Sequence, residues 1–297
     1  MKRVLLTGAT GYIGRALTAH LMRVGCHAGY LHLASEEPLA DTQATPFRLD
    51  TDSSIAEALA AFQPDVVMHL AAVMAPGNTR AMLEANVVFG TLLCEAMVQT
   101  GCRALVNTGT FWQYGPSGEY APNTLYASTK QAFQDVVTWF AIHQGLRAVT
   151  LALFDVFGPH DSRPKLITDL VRSVRAGEPV DASTGEQPVC PIYIDDVCSA
   201  FEHAGRLVAS PDAASGHVVF AADTGIRVSV RAMVEHFMQA VAKPVEVRWG
   251  AKPQRTGQIR VPVAGMPVLP GWSPRFDLPA AMQALVRAEL LAPEERP

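Results

Sequence analysis

The sequence is short of the features that mark a chain for a specialised environment. Lysine and arginine total 24 against 28 aspartates and glutamates, and they are scattered. A nucleic-acid binder needs a basic stripe, and none is present. Cysteine is sparse: Cys26, Cys94, Cys102, Cys190 and Cys198 form no C-x-x-C and no ligand spacing with the histidines. That argues against a disulfide framework and a thiolate centre, and predicts reduced structural thiols with no bound metal. No segment reads as having the uninterrupted apolar length of a membrane span. The first residues run straight into a strand, with no room for a signal peptide's apolar region and cleavage site. The expectation is a cytoplasmic protein with neither membrane nor nucleic acid as partner. Internal repeats and low-complexity runs are missing as well.

What remains is an ordinary, strongly apolar chain. Hydrophobic residues make up 49% of its 297 positions, enough for a large core. Residues 4–7 are an apolar run ended by glycine, which reads as a buried strand. Over 12–24, Ile13, Leu17, Leu21 and Val24 recur at helical spacing, and Gly25 follows as a C-cap. Further strands are expected at 27–33, 46–49, 65–70, 104–108 and 148–153, with helices at 53–62, 78–99 and 125–143. Strands apolar on both faces, alternating with helices, predict an α/β fold. Its centre is a doubly wound parallel sheet of the Rossmann type. Beyond about residue 158 proline and glycine become frequent, and isolated strands are expected near Ile192 and Val218. This divides the chain into a first domain over 1–157 and a smaller lobe over 158–297, with segments of the lobe returning to the first domain.

Between the first strand and helix lies Thr7-Gly8-Ala9-Thr10-Gly11-Tyr12-Ile13-Gly14. Gly8 permits a tight turn, Gly11 lets backbone approach a pyrophosphate, and Gly14 allows helix and strand to pack closely. The helix N-terminus then offers unpaired N–H groups to phosphate. The cofactor this implies is a nicotinamide dinucleotide. An acid ending the second strand would take the ribose hydroxyls of NAD, but Glu36 and Glu37 read as lying past the useful position. With Arg15 and His32 nearby, the balance leans to NADP(H), with NAD(H) the alternative.

Tyr126-Ala-Ser-Thr-Lys130 sets a phenol and an ammonium four residues apart on one helix face. A phenol titrates near 10 in water, and a nearby cation lowers that toward a range useful for acid–base work. The preceding strand ends in Asn107-Thr108-Gly109-Thr110, which supplies a hydroxyl at the sheet edge where such folds bind ligands.

The glycine loop, His69-Leu70-Ala71-Ala72, Asn86, Thr110 and Tyr126/Lys130 together resemble the extended short-chain dehydrogenase/reductase family. Phe157-Gly158-Pro159, Ile192-Tyr-Ile-Asp195-Asp196-Val197 and Gly271-Trp272-x-Pro274 extend the likeness over essentially the whole chain. Asp195 and Asp196 read as capping and lobe-packing residues. The resemblance implies that Thr110 holds a substrate carbonyl, Tyr126 gives or takes the proton, and Lys130 bridges the nicotinamide ribose. It implies a dinucleotide along Gly8, Thr10, Gly11, Tyr12, Ile13, Gly14 and Arg15. His32, Asp50, Thr51, Leu70, Ala71, Ala72, Asn86 and Thr108 would continue that site, and Phe154 and Val156 would close it. It also implies a nucleotide-diphosphate sugar as substrate, and a homodimer formed through the helices at 78–99 and 125–143.

Three chemistries compete within the family. Its 4,6-dehydratases carry an Asp-Glu pair after the catalytic hydroxyl, whereas Thr110 is followed by Phe111-Trp112-Gln113. Its 4-epimerases retain NAD and usually show the acid missing after the second strand. The third is reduction of a 4-keto-6-deoxy sugar. The stretches at 107–113, 125–133 and 153–166 are similar to CDP-abequose synthase-like 4-ketoreductases. On that reading Lys165 and Arg255 are candidates to neutralise the diphosphate, with Arg163 and Arg260 behind them. Met74, Phe111 and Trp112 are candidates to touch the sugar. Asp155 stands where relatives often have asparagine. A non-catalytic dinucleotide sensor is the alternative of another class, against which the retained Tyr/Lys pair argues.

Overall fold

The N-terminal apolar run forms β1 (Arg3–Thr7), an inner strand of the sheet. The computed structural model describes residues 1–40, 42–75, 77–254 and 261–291. After β1, α1 (Tyr12–Arg23) buries Leu17 and Leu21. It ends in a turn where Gly25 takes φ +84°, Gly25 N–H donates to Met22 O and Cys26 N–H to Leu21 O. That left-handed position favours glycine. Next come β2 (His27–Leu33), β3 (Thr45–Leu49), α2 (Ser53–Phe62) and β4 (Val66–His69).

The helix expected at 78–99 is present but not uniform. It comprises α3 (Thr79–Leu83), a π-helical turn over Glu84–Val88, and α4 (Phe89–Thr100). Within the 22 residues Thr79–Thr100 an 18-residue window reaches a mean hydropathy of 1.5, enough by length and composition alone to cross a membrane. Glu84, Asn86, Thr91 and Glu95 interrupt it, so it holds no unbroken apolar run. In the fold the segment lies on the sheet and buries Leu93, Cys94 and Met97.

The chain continues through β5 (Ala104–Thr110), a single 3₁₀ turn at Phe111–Gln113, α5 (Leu125–Gln144) and β6 (Arg147–Leu153). β7 (Asp155–Phe157), α6 (Leu166–Ala176), β8 (Val180–Ala182), β9 (Pro188–Val189) and β10 (Pro191–Tyr193) follow. Then come α7 (Ile194–Val208), β11 (Gly216–Ala222), β12 (Val228–Ser229) and α8 (Val230–Val241). β13 (Val247–Trp249), α9 (Leu278–Val286) and a π-helical turn over Arg287–Leu291 complete the described elements.

Seven strands form one sheet in the order β11-β6-β5-β4-β1-β2-β3, every neighbour parallel. α1 packs on α7 on one face, and α2 on α4 on the other, with α4 against α5. This is the doubly wound Rossmann architecture. The strand expected near Val218 is β11, the edge of this sheet beside β6. Smaller two-stranded pairs lie outside it: β7 with β10, β8 with β13, β9 with β12. Asp196, buried on α7, accepts from Arg275 N at 2.9 Å and Phe276 N at 3.2 Å, which ties the late segment to that helix. All parallel strands of the large sheet end on one edge, and the residues of interest gather there.

Candidate active site

The glycine loop is built to be approached. Gly8 has φ +69°, and a Cβ on it would stand 2.6 Å from Ala71 N. A Cβ on Gly14 would stand 2.1 Å from Gly8 O, so only glycine lets α1 sit this close to β1. Gly11, the N-cap of α1, offers no side-chain cap, and no acid stands in the first turn. The N–H groups there are left for an anion. Arg15 is exposed and donates from Nε to Thr10 O at 2.8 Å.

Glu36 corrects the sequence reading. The turn after β2 folds it back, so that its carboxylate accepts from Leu33 N and Thr10 Oγ1, each at 3.0 Å. An acid that looked too distant along the chain stands at the end of β2 against the glycine loop. His32 is buried, tilted against Tyr30, with Nδ1 3.1 Å from Leu33 O. Asp50 is exposed and pairs with Arg48 at 2.8 Å, and Thr51 follows it at the end of β3.

The floor is polar and buried. Thr7 Oγ1 lies 2.8 Å from His69 Nδ1 and accepts from Ala71 N at 3.2 Å. Thr108 Oγ1 donates to His69 O at 2.8 Å. Burial, with the Lys130 charge second, pushes His69 down to about 3, so it is neutral. Asn86, swung inward by the π turn, is fully buried and faces no open space. Its Oδ1 accepts from Val73 N at 2.7 Å, and its Nδ2 donates to Val73 O and Thr129 Oγ1 at 2.9 Å. It fixes the segment that carries Leu70, Ala71 and Ala72 rather than standing in the cleft. Met74, on the same segment, is 59% exposed.

Thr110 caps the 3₁₀ turn, its Oγ1 accepting from Trp112 N at 3.3 Å while its own N–H donates to Gln113 Oε1 at 2.9 Å. Gln113 is buried and donates to Gln131 and Gln134 of α5, so the end of β5 is locked to that helix. Thr124 caps α5, accepting from Ala127 N at 3.1 Å. That sets Tyr126 in the first turn and Lys130 one turn on. Trp112 stands edge-on to Tyr126, ring centres 6.5 Å apart. Lys130 is 1% exposed and its Nζ has no hydrogen-bond partner in the protein. Burial brings it down to about 8. Burial likewise pushes the Tyr126 phenol up, and the cation that pulls it down is Arg163, not Lys130.

Arg163 is the residue that sequence reasoning undervalued. Its guanidinium is held by two 2.7 Å bonds to the carboxylate of buried Asp161 and lies 4.4 Å over the Tyr12 ring. The loop after β7 thereby closes onto the start of α1. The two-residue spacing of Asp161 and Arg163 was the available signal. Lys165, half-buried, donates from Nζ to Val156 O at 2.9 Å, which braces β7. Phe111 is diverted into the core, stacked on Phe154 at 4.9 Å, and both are buried, as is Val156. Asp155 Oδ2 accepts from Cys190 N at 2.9 Å, a link between β7 and the strand beside it. Arg255 and Arg260 lie outside the described residues.

A nicotinamide dinucleotide fits these residues. The glycine cradle admits nothing larger than hydrogen at Gly8 and Gly14, α1 presents unspent N–H groups, and Lys130 Nζ is a buried donor with no acceptor in the protein. Among the described residues no group of histidine, cysteine, aspartate and glutamate has metal-binding geometry.

Comparison with known proteins agrees with this geometry. Residues 4–219 match the sequence profile of the NAD dependent epimerase/dehydratase family. A CDP-abequose synthase of Yersinia pseudotuberculosis is 24% identical over 67% of this chain and 71% of its own length. A dTDP-6-deoxy-L-talose 4-dehydrogenase (NAD(P)(+)) of Kitasatospora kifunensis is 28% identical over 98% of this chain and 96% of its own. The UDP-glucose 4-epimerase of Thermus thermophilus, solved with NAD, superposes with a TM-score of 0.82 at 24% identity, covering 98% of this chain and 100% of that one.

Proposed function

Because the chain belongs to the NAD dependent epimerase/dehydratase family, we propose that it is a nucleotide-sugar 4-ketoreductase. Its substrate is a nucleotide-linked 4-keto-6-deoxy sugar. The bound dinucleotide supplies hydride to the carbonyl carbon. Tyr126 gives a proton to the new alkoxide, Thr110 holds the carbonyl oxygen, and Lys130 holds the ribose at the nicotinamide end. The observation that carries this reading is the turn after Thr110. A dehydratase needs an acid and a base there to eliminate water. This turn carries Phe111, Trp112 and Gln113, with the phenylalanine stacked in the core and the glutamine bonded to α5. Reduction needs neither carboxylate. The names of the synthase and the 4-dehydrogenase among the relatives support the same reading.

Purified protein given NADH or NADPH and a 4-keto-6-deoxy nucleotide sugar is expected to oxidise the dinucleotide in step with loss of the ketone. Tyr126→Phe should cut kcat by about a hundredfold or more while leaving dinucleotide affinity within about threefold. Full activity in that variant would sink the assignment of the proton to Tyr126.

Glu36 reverses the lean to NADP(H). A 2′-phosphate brought to the end of β2 meets this carboxylate, whereas the two ribose hydroxyls of NAD have an acceptor there. NADH should bind at least ten times more tightly than NADPH, and Glu36→Ala should narrow the gap. Equal affinities in the unaltered protein refute this choice. The same carboxylate favours one other reading, a 4-epimerase that retains NAD. NAD co-purifying with the protein, with sugar isomers interconverting and no net oxidation, would decide for it.

A further inference from the structure

Under α5 a row of polar side chains crosses the sheet. Thr7, His69, Asn107 and Thr150 are successive register partners on β1, β4, β5 and β6. Side chains in register share a face, and two residues before each stand Leu5, Val67, Leu105 and Ala148, in the core beneath Phe133 and Val137. All four polar residues are buried. A buried polar group is stable only when bonded, and the bonds here have a readable direction.

At one end, Thr138 Oγ1 donates to Gln134 O at 3.0 Å, so its 2.8 Å contact with His217 Nδ1 is a bond it accepts. His217, held neutral near 4 by burial, then carries its single proton on Nδ1. Its Nε2 accepts the Thr150 hydroxyl at 2.8 Å, and Thr150 Oγ1 accepts from Asn107 Nδ2 at 3.1 Å. At the other end, Thr7 Oγ1 accepts from Ala71 N, and His69 Nδ1, 2.8 Å away, is the acceptor within reach of its own buried proton. Neutral His69 therefore carries its proton on Nε2. Three buried atoms of this neighbourhood have no partner in the protein: the donor His69 Nε2, the acceptor Asn107 Oδ1 and the donor Lys130 Nζ. His69 and Asn107 are register partners, and Lys130 stands three residues before Phe133, whose ring packs on His69 with centres 5.1 Å apart.

We infer that one water molecule is bound between these three, accepting from His69 Nε2 and Lys130 Nζ and donating to Asn107 Oδ1. Three bonds is the usual complement of an internal water. The water joins the halves of the row, and the row becomes a positioning device that holds the Lys130 ammonium against the sheet. Its consequence for catalysis rests on the proposed role of Lys130 beside Tyr126. The site itself does not. The titratable groups on the elements around it are Tyr126 on α5, His69 on β4 and His217 on β11, while Asp135 of α5 is exposed and accepts from Gln131. Glu84, on the π turn, is exposed and paired with Arg80.

A high-resolution crystal structure of the unaltered protein, with and without NAD, should contain a water within hydrogen-bond distance of all three atoms. Nuclear magnetic resonance titration of the Lys130 side chain supplies a second reading. Asn107→Asp places a charge on the far side of the water and should raise the proton affinity of Lys130 at least tenfold. Asn107→Leu removes the acceptor and should lower it. A structure in which His69 Nε2 bonds directly to Asn107 Oδ1 with no water overturns the proposal, as does a Lys130 titration that Asn107→Asp leaves unmoved. Should the water be present and no keto-sugar be reduced, the ketoreductase reading falls and this site stands.

Discussion

Lys130 occupies the buried stripe of α5 between Ala127 and Phe133, where the helical period calls for an apolar side chain. Its fall from an ordinary 10.5 to about 8 measures what burial costs the ammonium, roughly 3 kcal/mol at the usual conversion. The sign follows from linkage. A base depressed in the folded state is penalised fully below its folded value, and the penalty fades as pH rises toward the unfolded one. Lys130→Met should therefore raise the melting temperature of the dinucleotide-free protein at pH 7, and the gain should shrink between pH 8 and 10.5. It should also abolish turnover. Calorimetry across that range checks it, and a variant less stable at pH 7 contradicts the account. At this scale the sequence was informative about partners and silent about environment. The spacing of Tyr126 and Lys130 was legible, but the source of the pull on the phenol was not, because Arg163 reaches Tyr126 through the fold and not along a helix.

At the scale of elements, the π turn over Glu84–Val88 decides what the long helix does for the site. One residue more per turn rotates Asn86 onto the inner face, where its amide holds Val73 from both sides and reaches Thr129 on α5. The loop that closes on Gly8 is thus tied to α5. Asn86→Leu removes three bonds, leaves Val73 N and O unpaired, and should destabilise the protein by about 3 kcal/mol. It should weaken dinucleotide binding about tenfold as the 70–73 segment loosens. Denaturant titration and a binding isotherm test the two parts, and unchanged affinity would detach Asn86 from the cofactor site. Strand and helix order was readable because the periods of 2 and 3.6 are written in single segments. The π turn was not, since its residues fit a regular helix equally well. Glu36 was misjudged for a related reason. Distance was counted along the chain, while the turn after Leu33 brings the carboxylate back. Lys165 and Phe111 were candidates for substrate contact on the resemblance, and in the fold each has a partner inside.

At the scale of the whole molecule, the outer surface of the same helices is the feature unaccounted for by a single chain. Leu83 and Val88, in the stretch that leads into α4, are 44% and 50% exposed, and Trp139 and Ile142 on α5 are 50% and 69% exposed. α3, the π turn and α4 all pack beside α5, so these exposed apolar side chains lie on adjoining helices. A second copy presenting the same face would cover them as a four-helix contact, the closed two-fold arrangement that most oligomers of one chain adopt. Sedimentation at micromolar concentration should then give twice the chain mass. Burying a large aliphatic side chain contributes about 2 kcal/mol. Val88→Asp with Ile142→Asp should therefore weaken association by about a thousandfold or more, counting both copies only once. Neither substitution touches the sheet, so the melting of the separated chains should keep its cooperativity. A monomer mass for the unaltered protein refutes the contact. If the dimer forms, the catalytic helix is braced on both sides, by the polar row beneath it and by its counterpart outside. Dissociated variants should then lose turnover by a greater factor than they lose dinucleotide affinity.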